Sequence, residues 1–368
     1  MNERDYGKVR ILFVCNTLYQ IIGASCIREM FPAAEAEIIL SDHSIANRKI
    51  YSNIEKFCII FNKAYYVETK YLYEQDNNIS KKEKDKLLSD INTVSSMLKL
   101  ADKYDMFFCA NDEPFTERIA NYVKKTNSKA SLNWFEDGLS AYYFDRIYFP
   151  RIYGTLRSKL RKIFKKVYDL TAYIDNYYVF KPEKMEWHPK AKIKKIDSIN
   201  NELALKLGMI FENSNNIDKY AEKYIFFEDG AQDWQKETDV KLMNRIASKI
   251  GKENIIVRTH PRNPINRFEK AGFKTNQDMS VPWEIIAANI NIEDKVLMTM
   301  YSQCVVTPDI LMGVKGKVIS LARLDPEYDS SNHEVYDFMV RAYFNYDREH
   351  YLVPQNMEEF EQIIENLQ

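Results

Sequence analysis

Two short motifs in this chain carry ionisable side chains of the types that perform acid–base chemistry. They are Glu136-Asp137-Gly138 and His260-Pro261. Each follows an apolar run typical of a buried strand, and α/β proteins hold their ligands at the carboxyl ends of such strands. A carboxylate there can accept a proton from an attacking hydroxyl, while an imidazole assists a leaving group. The pair therefore predicts one active site in a cleft between two domains.

Each motif also fits a plain structural role. Asp-Gly is a common turn after a strand, and the glycine permits a sharp change of chain direction. A histidine before a proline favours an extended backbone. Arg258 and Arg262 surround His260 with positive charge, which suits a phosphate-bearing leaving group. Ser302 follows a later apolar run and is either a donor to the same phosphate or an ordinary loop serine.

Apolar runs and amphipathic stretches alternate along the chain, which indicates parallel sheets covered by helices on both faces. The length of 368 residues favours two domains, so the predicted class is α/β with two doubly wound domains. Prolines and an Asn-rich stretch interrupt the alternation within 181–216. We place the domains at residues 1–190 and 191–368, and the final amphipathic helix is a candidate to pack across that boundary. The predicted strands are 10–15, 36–40, 64–67, 106–110, 130–135, 224–227, 254–258, 295–300 and 317–321.

Composition and missing motifs exclude several classes of protein. With 52 basic and 53 acidic residues, the chain has no net charge that would attract nucleic acid. It has no dinucleotide-binding glycine motif, P-loop, His-Glu-x-x-His zinc motif or Gly-x-Ser-x-Gly elbow. It also lacks the Asp-x-Asp triplet that commonly holds a metal on a nucleotide sugar, so we expect chemistry without a metal. Scattered cysteines, a polar start and the lack of an apolar stretch of about 18 residues predict a cytoplasmic protein without a transmembrane helix.

A basic segment at 151–166, from Arg151 to Lys166, contains seven Lys and Arg residues and no acidic residue. Its apolar residues are spaced so that they fall on one face of a helix. Such a helix either packs on its own domain or lies on a membrane surface with its cations facing anionic lipid. The second interpretation predicts a peripheral protein on the inner face of a bacterial membrane.

The ordered set of short motifs resembles glycosyltransferase family 52, which contains bacterial sialyltransferases of lipooligosaccharide and capsule synthesis. The opening run from Phe13 to Ile21 is similar to the start of that family. Four further motifs resemble its acidic-acidic-Gly, His-Pro, Pro-x-Glu and Ser/Thr elements, in that order: Trp134-Phe-Glu-Asp-Gly138, Arg258-Thr-His-Pro-Arg262, Pro282-Trp-Glu284 and Tyr301-Ser302. The similarity covers most of the chain.

This resemblance implies a GT-B fold, in which two Rossmann-like domains face a cleft and the second domain binds the nucleotide sugar. It implies that CMP-sialic acid is the donor and that the sugar is transferred, with inversion and without a metal or other cofactor, to a galactose-type oligosaccharide acceptor. It also implies a homodimer. A different nucleotide sugar, as in a glucosyltransferase, and a non-catalytic binding subunit of the same fold remain as alternatives.

The resemblance also assigns roles to individual residues. His260, with Pro261, would interact with the CMP phosphate as an acid or an electrostatic stabiliser. Arg258, Tyr301 and Ser302 would lie near that phosphate and Glu284 near the ribose. In the first domain, the implied substrate-binding residues are Asn16, Glu136 and Gly138.

The base is open between carboxylates in two loops. Asp137 carries the motif shared with the family. Some members place the base after the first strand of the second domain, where this chain has a second acidic motif, Glu228-Asp229-Gly230. Asp229 and the nearby Asp233 are therefore alternatives to Asp137, with Gly230 as a neighbouring substrate-binding residue.

Overall fold

The computed structural model describes residues 9–69, 98–143, 170–212, 217–230, 238–260, 262–263, 265–278, 280–325 and 334–367. The chain divides into two compact units, Met1–Asp197 and Ser198–Gln368. The boundary that we placed after residue 190 falls in the loop before the last strand of the first unit, Lys192–Lys195. The basic segment 151–166 lies outside the described residues, as do Pro261 and Asp233.

The first unit is built on a seven-stranded sheet in which every neighbouring pair is parallel. Its strands are β1 (Arg10–Cys15), β2 (Glu35–Ser41), β3 (Lys63–Val67), β4 (Met106–Cys109), β5 (Ser131–Phe135), β6 (Asn176–Val179) and β7 (Lys192–Lys195). The spatial order is β3-β2-β1-β4-β5-β6-β7. The strand order reverses between β1 and β4, which makes the carboxyl ends of these two strands the switch point where doubly wound sheets bind ligands.

Helices of the first unit are α1 (Leu18–Glu29), α2 (Asn47–Phe57), α3 (Pro114–Thr126) and the short α4 (Ser140–Tyr143), with 3-10 turns at Leu170–Ala172 and Pro182–Lys184. Helix α1 begins where Thr17 accepts a hydrogen bond from the Gln20 N–H, which satisfies one of the unpaired donors of the first turn. Helix α3 begins at Pro114, a residue that fits the first turn because it has no N–H to leave unpaired. Both helices therefore start directly above the carboxyl edge of the sheet.

The second unit repeats the architecture with six parallel strands. They are β8 (Tyr224–Phe227), β9 (Ile255–Arg258), β10 (Lys274–Asn276), β11 (Val296–Thr299), β12 (Lys317–Ser320) and β13 (Tyr351–Leu352). The order β10-β9-β8-β11-β12-β13 reverses between β8 and β11. The switch point of this unit therefore lies at the ends of β8 and β11.

Seven helices accompany this sheet in the described part of the unit: α5 (Asn201–Ile210), α6 (Thr238–Ile250), α7 (Arg267–Lys270), α8 (Trp283–Ala287), α9 (Thr307–Met312), α10 (Glu334–Met339) and α11 (Met357–Leu367). Short 3-10 turns lie at Ile217–Tyr220, Lys252–Asn254, Ile292–Asp294, Gln303–Val305 and Ala322–Leu324, and a π-helical turn at Val340–Phe344. Helix α11 packs on the core of its own unit through Phe360 and Ile364.

The predicted class of two doubly wound α/β domains is confirmed, and each predicted strand has a counterpart. Four further strands, β6, β7, β10 and β13, were not predicted. Strand β7 reads Lys-Ile-Lys-Lys and is exposed along its whole length, as suits an edge strand that lysines protect from pairing. Such a strand has no apolar run to reveal it. Within the described ranges, no helix is long and apolar enough to cross a membrane.

Candidate active site

Asp137 follows β5 and lies half-buried at the carboxyl edge of the first sheet. One carboxylate oxygen, Oδ1, accepts a hydrogen bond from Thr17 Oγ1 at 3.2 Å, and Oδ2 accepts one from Gln20 Nε2 at 2.9 Å. The Gln20 amide is itself oriented, since its Oε1 accepts the Asn16 N–H at 2.6 Å. The first turn of α1 thus fixes the position of Asp137. Sequence reasoning missed Thr17 and Gln20, although both stand in the opening motif.

Glu136 is buried and has a different role from its neighbour. Its carboxylate accepts hydrogen bonds from the Tyr19 hydroxyl at 2.7 Å, from the Phe180 N–H at 2.9 Å and from the Tyr142 hydroxyl. Burial raises the pKa of Glu136 to about 7, while these three donors act against that rise. Glu136 therefore anchors the turn from within, and Gly138 completes it with a φ of 84°, a value that glycine adopts without strain.

Asn16 is buried directly after β1. Its side-chain oxygen accepts a hydrogen bond from Ser41 Oγ at 2.9 Å, and its backbone carbonyl accepts one from Asn47 Nδ2 at 2.9 Å. The predicted substrate-binding residue is thus held in one orientation at the switch point of the first sheet.

His260 lies two residues after β9 in the second unit. Its backbone N–H donates to Glu228 Oε2 at 2.9 Å, and its ring Nδ1 accepts the Arg262 N–H at 3.1 Å. Burial, together with the smaller effect of the nearby Arg262 charge, lowers the pKa of His260 to about 4. The imidazole is therefore neutral near pH 7 in this structure. Because Nδ1 is an acceptor, the proton is on Nε2, which is a hydrogen-bond donor.

The second Glu-Asp-Gly motif supports this histidine. Glu228 is buried, and its other oxygen, Oε1, pairs with the Arg267 guanidinium at 2.7 Å. Arg267 also donates two hydrogen bonds to Asp239, at 2.8 and 2.7 Å. A buried charge is tolerated when it is paired in this way. The network therefore holds the loop that carries His260 against the end of β8.

Gly230 lies against the His260 ring. A Cβ atom at this position would be only 2.6 Å from the imidazole Cε1, closer than such atoms approach in proteins. Glycine is thus required because the backbone must pass within contact distance of the ring. Gly230 is therefore in contact with the predicted acid, His260.

Asp229 acts as a link across the switch point of the second sheet. Its Oδ2 accepts the Tyr301 N–H at 3.0 Å, and its backbone carbonyl accepts Asn263 Nδ2 at 3.0 Å. Burial raises the pKa of Asp229 to about 7. The carboxylate therefore ties the loop after β8 to the loop after β11, and these contacts favour a structural role for it. Whether Asp233 acts as the base stays a prediction.

The remaining predicted residues of the second unit lie near the same edge of the sheet. Arg258 is buried and donates to the Tyr220 hydroxyl at 2.6 Å and to the Val281 carbonyl at 2.7 Å. These two contacts occupy its terminal nitrogens within the protein. Ser302 donates its N–H to Thr299 Oγ1 at 2.8 Å.

Glu284 lies buried in the first turn of α8. Burial raises the pKa of Glu284, and a hydrogen bond from Thr307 together with the charge of Arg258 opposes that rise. The expected roles of Arg258, Ser302 and Glu284 toward a nucleotide stay predictions. Among the residues that the structure describes, no three His, Cys, Asp or Glu side chains are grouped to hold a metal ion.

Comparison of folds places this architecture among the GT-B glycosyltransferases. The glycosyltransferase of kitacinnamycin superposes with a TM-score of 0.53 at 10% identity, over 98% of this chain and 91% of that chain. The wall teichoic acid polymerase TagF gives a TM-score of 0.47 at 12% identity, over 98% of this chain and 80% of that chain. A search of curated proteins finds no significant match. The predicted GT-B class is confirmed.

The fold thus defines a protein of the GT-B class. Residues 11–321 match the family model of the alpha-2,8-polysialyltransferases (POLYST), and the chain belongs to that family. The match confirms the expectation of a sialyltransferase family. Membership of glycosyltransferase family 52 itself stays a prediction.

The raised pKa of Glu136 predicts a specific pH dependence of stability. A buried carboxyl whose folded pKa of about 7 exceeds its unfolded value makes the free energy of unfolding fall as the pH rises between those two values. At about 1.4 kcal/mol per pKa unit, Glu136→Gln should remove a penalty on the order of 3 kcal/mol above neutral pH. Urea unfolding from about pH 5 to about pH 8 measures this, with the exposed Glu183→Gln as control. If the free energy of unfolding changed with pH in the same way in wild type and Glu136→Gln, the raised pKa of Glu136 would be contradicted.

The contact between Gly230 and His260 predicts that Gly230→Ala displaces the ring. NMR titration should find His260 of the wild type neutral from about pH 5 to about pH 8, whereas the displaced, better-solvated ring of the variant should titrate in that range. The matched control is Gly208→Ala, since a Cβ there meets no atom nearer than 3.9 Å. Identical His260 resonances in wild type and Gly230→Ala would show that the close approach does not hold the ring.

Proposed function

We propose that this protein is a metal-independent, inverting sialyltransferase that uses CMP-sialic acid and acts on a galactose-type acceptor of a surface glycan such as lipooligosaccharide or capsule. The observation that carries the proposal is the neutral His260, held by Glu228, Gly230 and Arg262 with its Nε2–H as a donor, in a member of a sialyltransferase family. In the proposed step, an acceptor hydroxyl oxygen attacks the anomeric carbon of sialic acid. The bond from that carbon to the phosphate oxygen breaks, and CMP leaves.

His260 is proposed to assist the departure of CMP. Its Nε2–H donates a hydrogen bond to the leaving phosphate, on which negative charge grows as the bond breaks. The phosphate also raises the pKa of an imidazole beside it, because an opposite charge favours the protonated ring. The same side chain can thus act as a hydrogen-bond donor to the bound donor substrate and as an acid toward the departing phosphate.

Asp137 is proposed to take the proton of the attacking hydroxyl. Its two oxygens accept hydrogen bonds from the neutral side chains of Thr17 and Gln20, which orient the carboxylate. The side chain is also half-buried rather than enclosed. Asp229 is less suited because its carboxylate accepts the Tyr301 backbone N–H and so links the loops after β8 and β11. Asp233 remains the alternative base.

The family name favours a second candidate acceptor. Members named alpha-2,8-polysialyltransferases join sialic acid to sialic acid, which would make the acceptor end anionic rather than a neutral galactose. The alternatives to this function are a glycosyltransferase that uses another nucleotide sugar, such as a glucosyltransferase, and a non-catalytic binding subunit of the same fold. A homodimer and a peripheral position on the inner face of a bacterial membrane complete the proposal, and the latter rests on the sequence of segment 151–166 alone.

Removal of either reacting group should abolish transfer without unfolding the protein. Asp137→Ala and His260→Ala should each reduce the rate of sialic acid transfer by about a hundredfold or more, the usual contribution of acid–base groups. The assay is run with EDTA present, because the proposed chemistry needs no metal. Asp233→Ala serves as the comparison variant, and its selective inactivation would move the role of base to Asp233. Near-normal rates for both Asp137→Ala and His260→Ala would contradict the proposed mechanism.

Thermal-shift measurements identify the donor nucleotide. CMP should raise the melting temperature more than UDP or GDP, because a ligand that binds only the folded state stabilises it by about 2.7 kcal/mol at a hundred times its Kd. The shift should survive in Asp137→Ala and weaken in His260→Ala, since the proposal places the nucleotide on the second unit. A larger shift with UDP or GDP would replace CMP-sialic acid by another nucleotide sugar.

A further inference from the structure

A second group of polar side chains lies at the switch point of the first sheet, and the mechanism above does not use it. Asn16 follows β1, His43 follows β2, and Asn111 and Glu113 follow β4. Since all three strands are parallel neighbours, these residues meet at one carboxyl edge. We name His43, Asn111 and Glu113 the switch-point cluster. It occupies the place where a doubly wound sheet binds its ligand.

Glu113 and His43 form a partly accessible pair. His43 Nδ1 lies 3.2 Å from Glu113 Oε1, and the two side chains are 25% and 30% exposed. The Asn16 side chain hydrogen-bonds to the same carboxylate. Burial raises the pKa of Glu113, and the charge of His43 and the bond from Asn16 act in the opposite direction. The carboxylate is thus oriented by two partners, yet open enough for a ligand hydroxyl to reach it.

Asn111 provides an independent sign of a ligand. Its Oδ1 accepts hydrogen bonds from Thr116 Oγ1 at 2.7 Å and from the Glu113 N–H at 3.2 Å. Its Nδ2 is buried and has no hydrogen-bond partner within the described parts of the chain. A buried donor without a partner costs stability, and such groups in native proteins call for an explanation. A ligand oxygen at this place would satisfy it.

We propose that the switch-point cluster is the subsite for an uncharged sugar hydroxyl face of the acceptor, with Glu113 accepting from one hydroxyl and Asn111 Nδ2 donating to another oxygen. This inference rests on the proposed transferase function. The ligand class follows from charge, because the carboxylates of Asp42 and Asp112 add negative charge near Glu113. An anionic group would be repelled there, whereas hydroxyls both donate and accept.

The cluster is continuous with the proposed base. Asn16 hydrogen-bonds to Glu113, and the next residue, Thr17, hydrogen-bonds to Asp137. Consecutive Cα atoms are about 3.8 Å apart, so the two carboxylates are anchored to neighbouring positions of one loop. A sugar held at Glu113 therefore extends along the same edge toward Asp137. This places an acceptor hydroxyl near the group that would deprotonate it.

The test measures the binding of two probes by saturation-transfer NMR in the absence of nucleotide sugar. Lactose presents a neutral galactose end and sialyllactose an anionic one. We expect lactose to bind the wild type, and Glu113→Gln and Asn111→Ala to weaken that binding by about tenfold, the loss typical of a hydrogen bond to a charged or buried group. The exposed Asp112→Asn removes an equal charge next to the cluster and should change binding little. His43→Gln gives a further variant if one of the others fails to fold.

Each outcome decides the proposal. Weaker lactose binding in the cluster variants, with Asp112→Asn near wild type, supports it. Equal binding by wild type and Glu113→Gln, binding of sialyllactose alone, or binding of neither probe overturns it. Slow hydrolysis of CMP-sialic acid, measured separately, reports on the proposed function. If hydrolysis occurs and the variants bind lactose normally, only the proposed acceptor subsite is contradicted. If hydrolysis is absent but lactose binding depends on Glu113, only the proposal that CMP-sialic acid is the donor is contradicted.

Discussion

Glu228 divides its two carboxylate oxygens between the His260 N–H and the Arg267 guanidinium, and the site of the second unit depends on this arrangement. Arg267 supplies the cation that compensates the burial of this carboxylate. Arg267 also donates to Asp239 at the start of α6. The ion network thus connects a helix, the end of β8 and the His260 loop. The imidazole is held by groups that take no part in proton transfer.

The same tripeptide gives different results in the two units. In each unit the glutamate is buried. Glu136 accepts hydrogen bonds from two tyrosines and a backbone N–H. Glu228 accepts them from the His260 N–H and from Arg267. The aspartates differ in their neighbours. Both are half-buried, but Asp137 accepts from side chains in the first turn of α1, whereas Asp229 accepts the Tyr301 backbone N–H in the loop after β11. The same tripeptide therefore gives a carboxylate held by side chains in the first unit and a link between two loops in the second.

Sequence patterns predicted the parts of the fold that burial dictates. The central strands are continuous apolar runs because helices cover both faces of the sheet, and these runs were recognised. The edge strands β7 and β10 are polar and short, so that neither carries a period or an apolar run. The contacts that define the sites were also invisible. Thr17 and Asp137 are 120 residues apart, and nothing in local spacing links them.

The electrostatics of His260 impose an order on the proposed chemistry. With a pKa of about 4, the imidazole carries no charge while the second unit is empty of nucleotide, and Arg262 helps to keep it so. A bound phosphate reverses this balance, because its negative charge stabilises the protonated ring. The acid would therefore be formed only where its partner is present, and proton uptake would accompany nucleotide binding. Glu228, fixed to the backbone of His260 rather than to its ring, holds the loop without supplying the charge that would protonate it early.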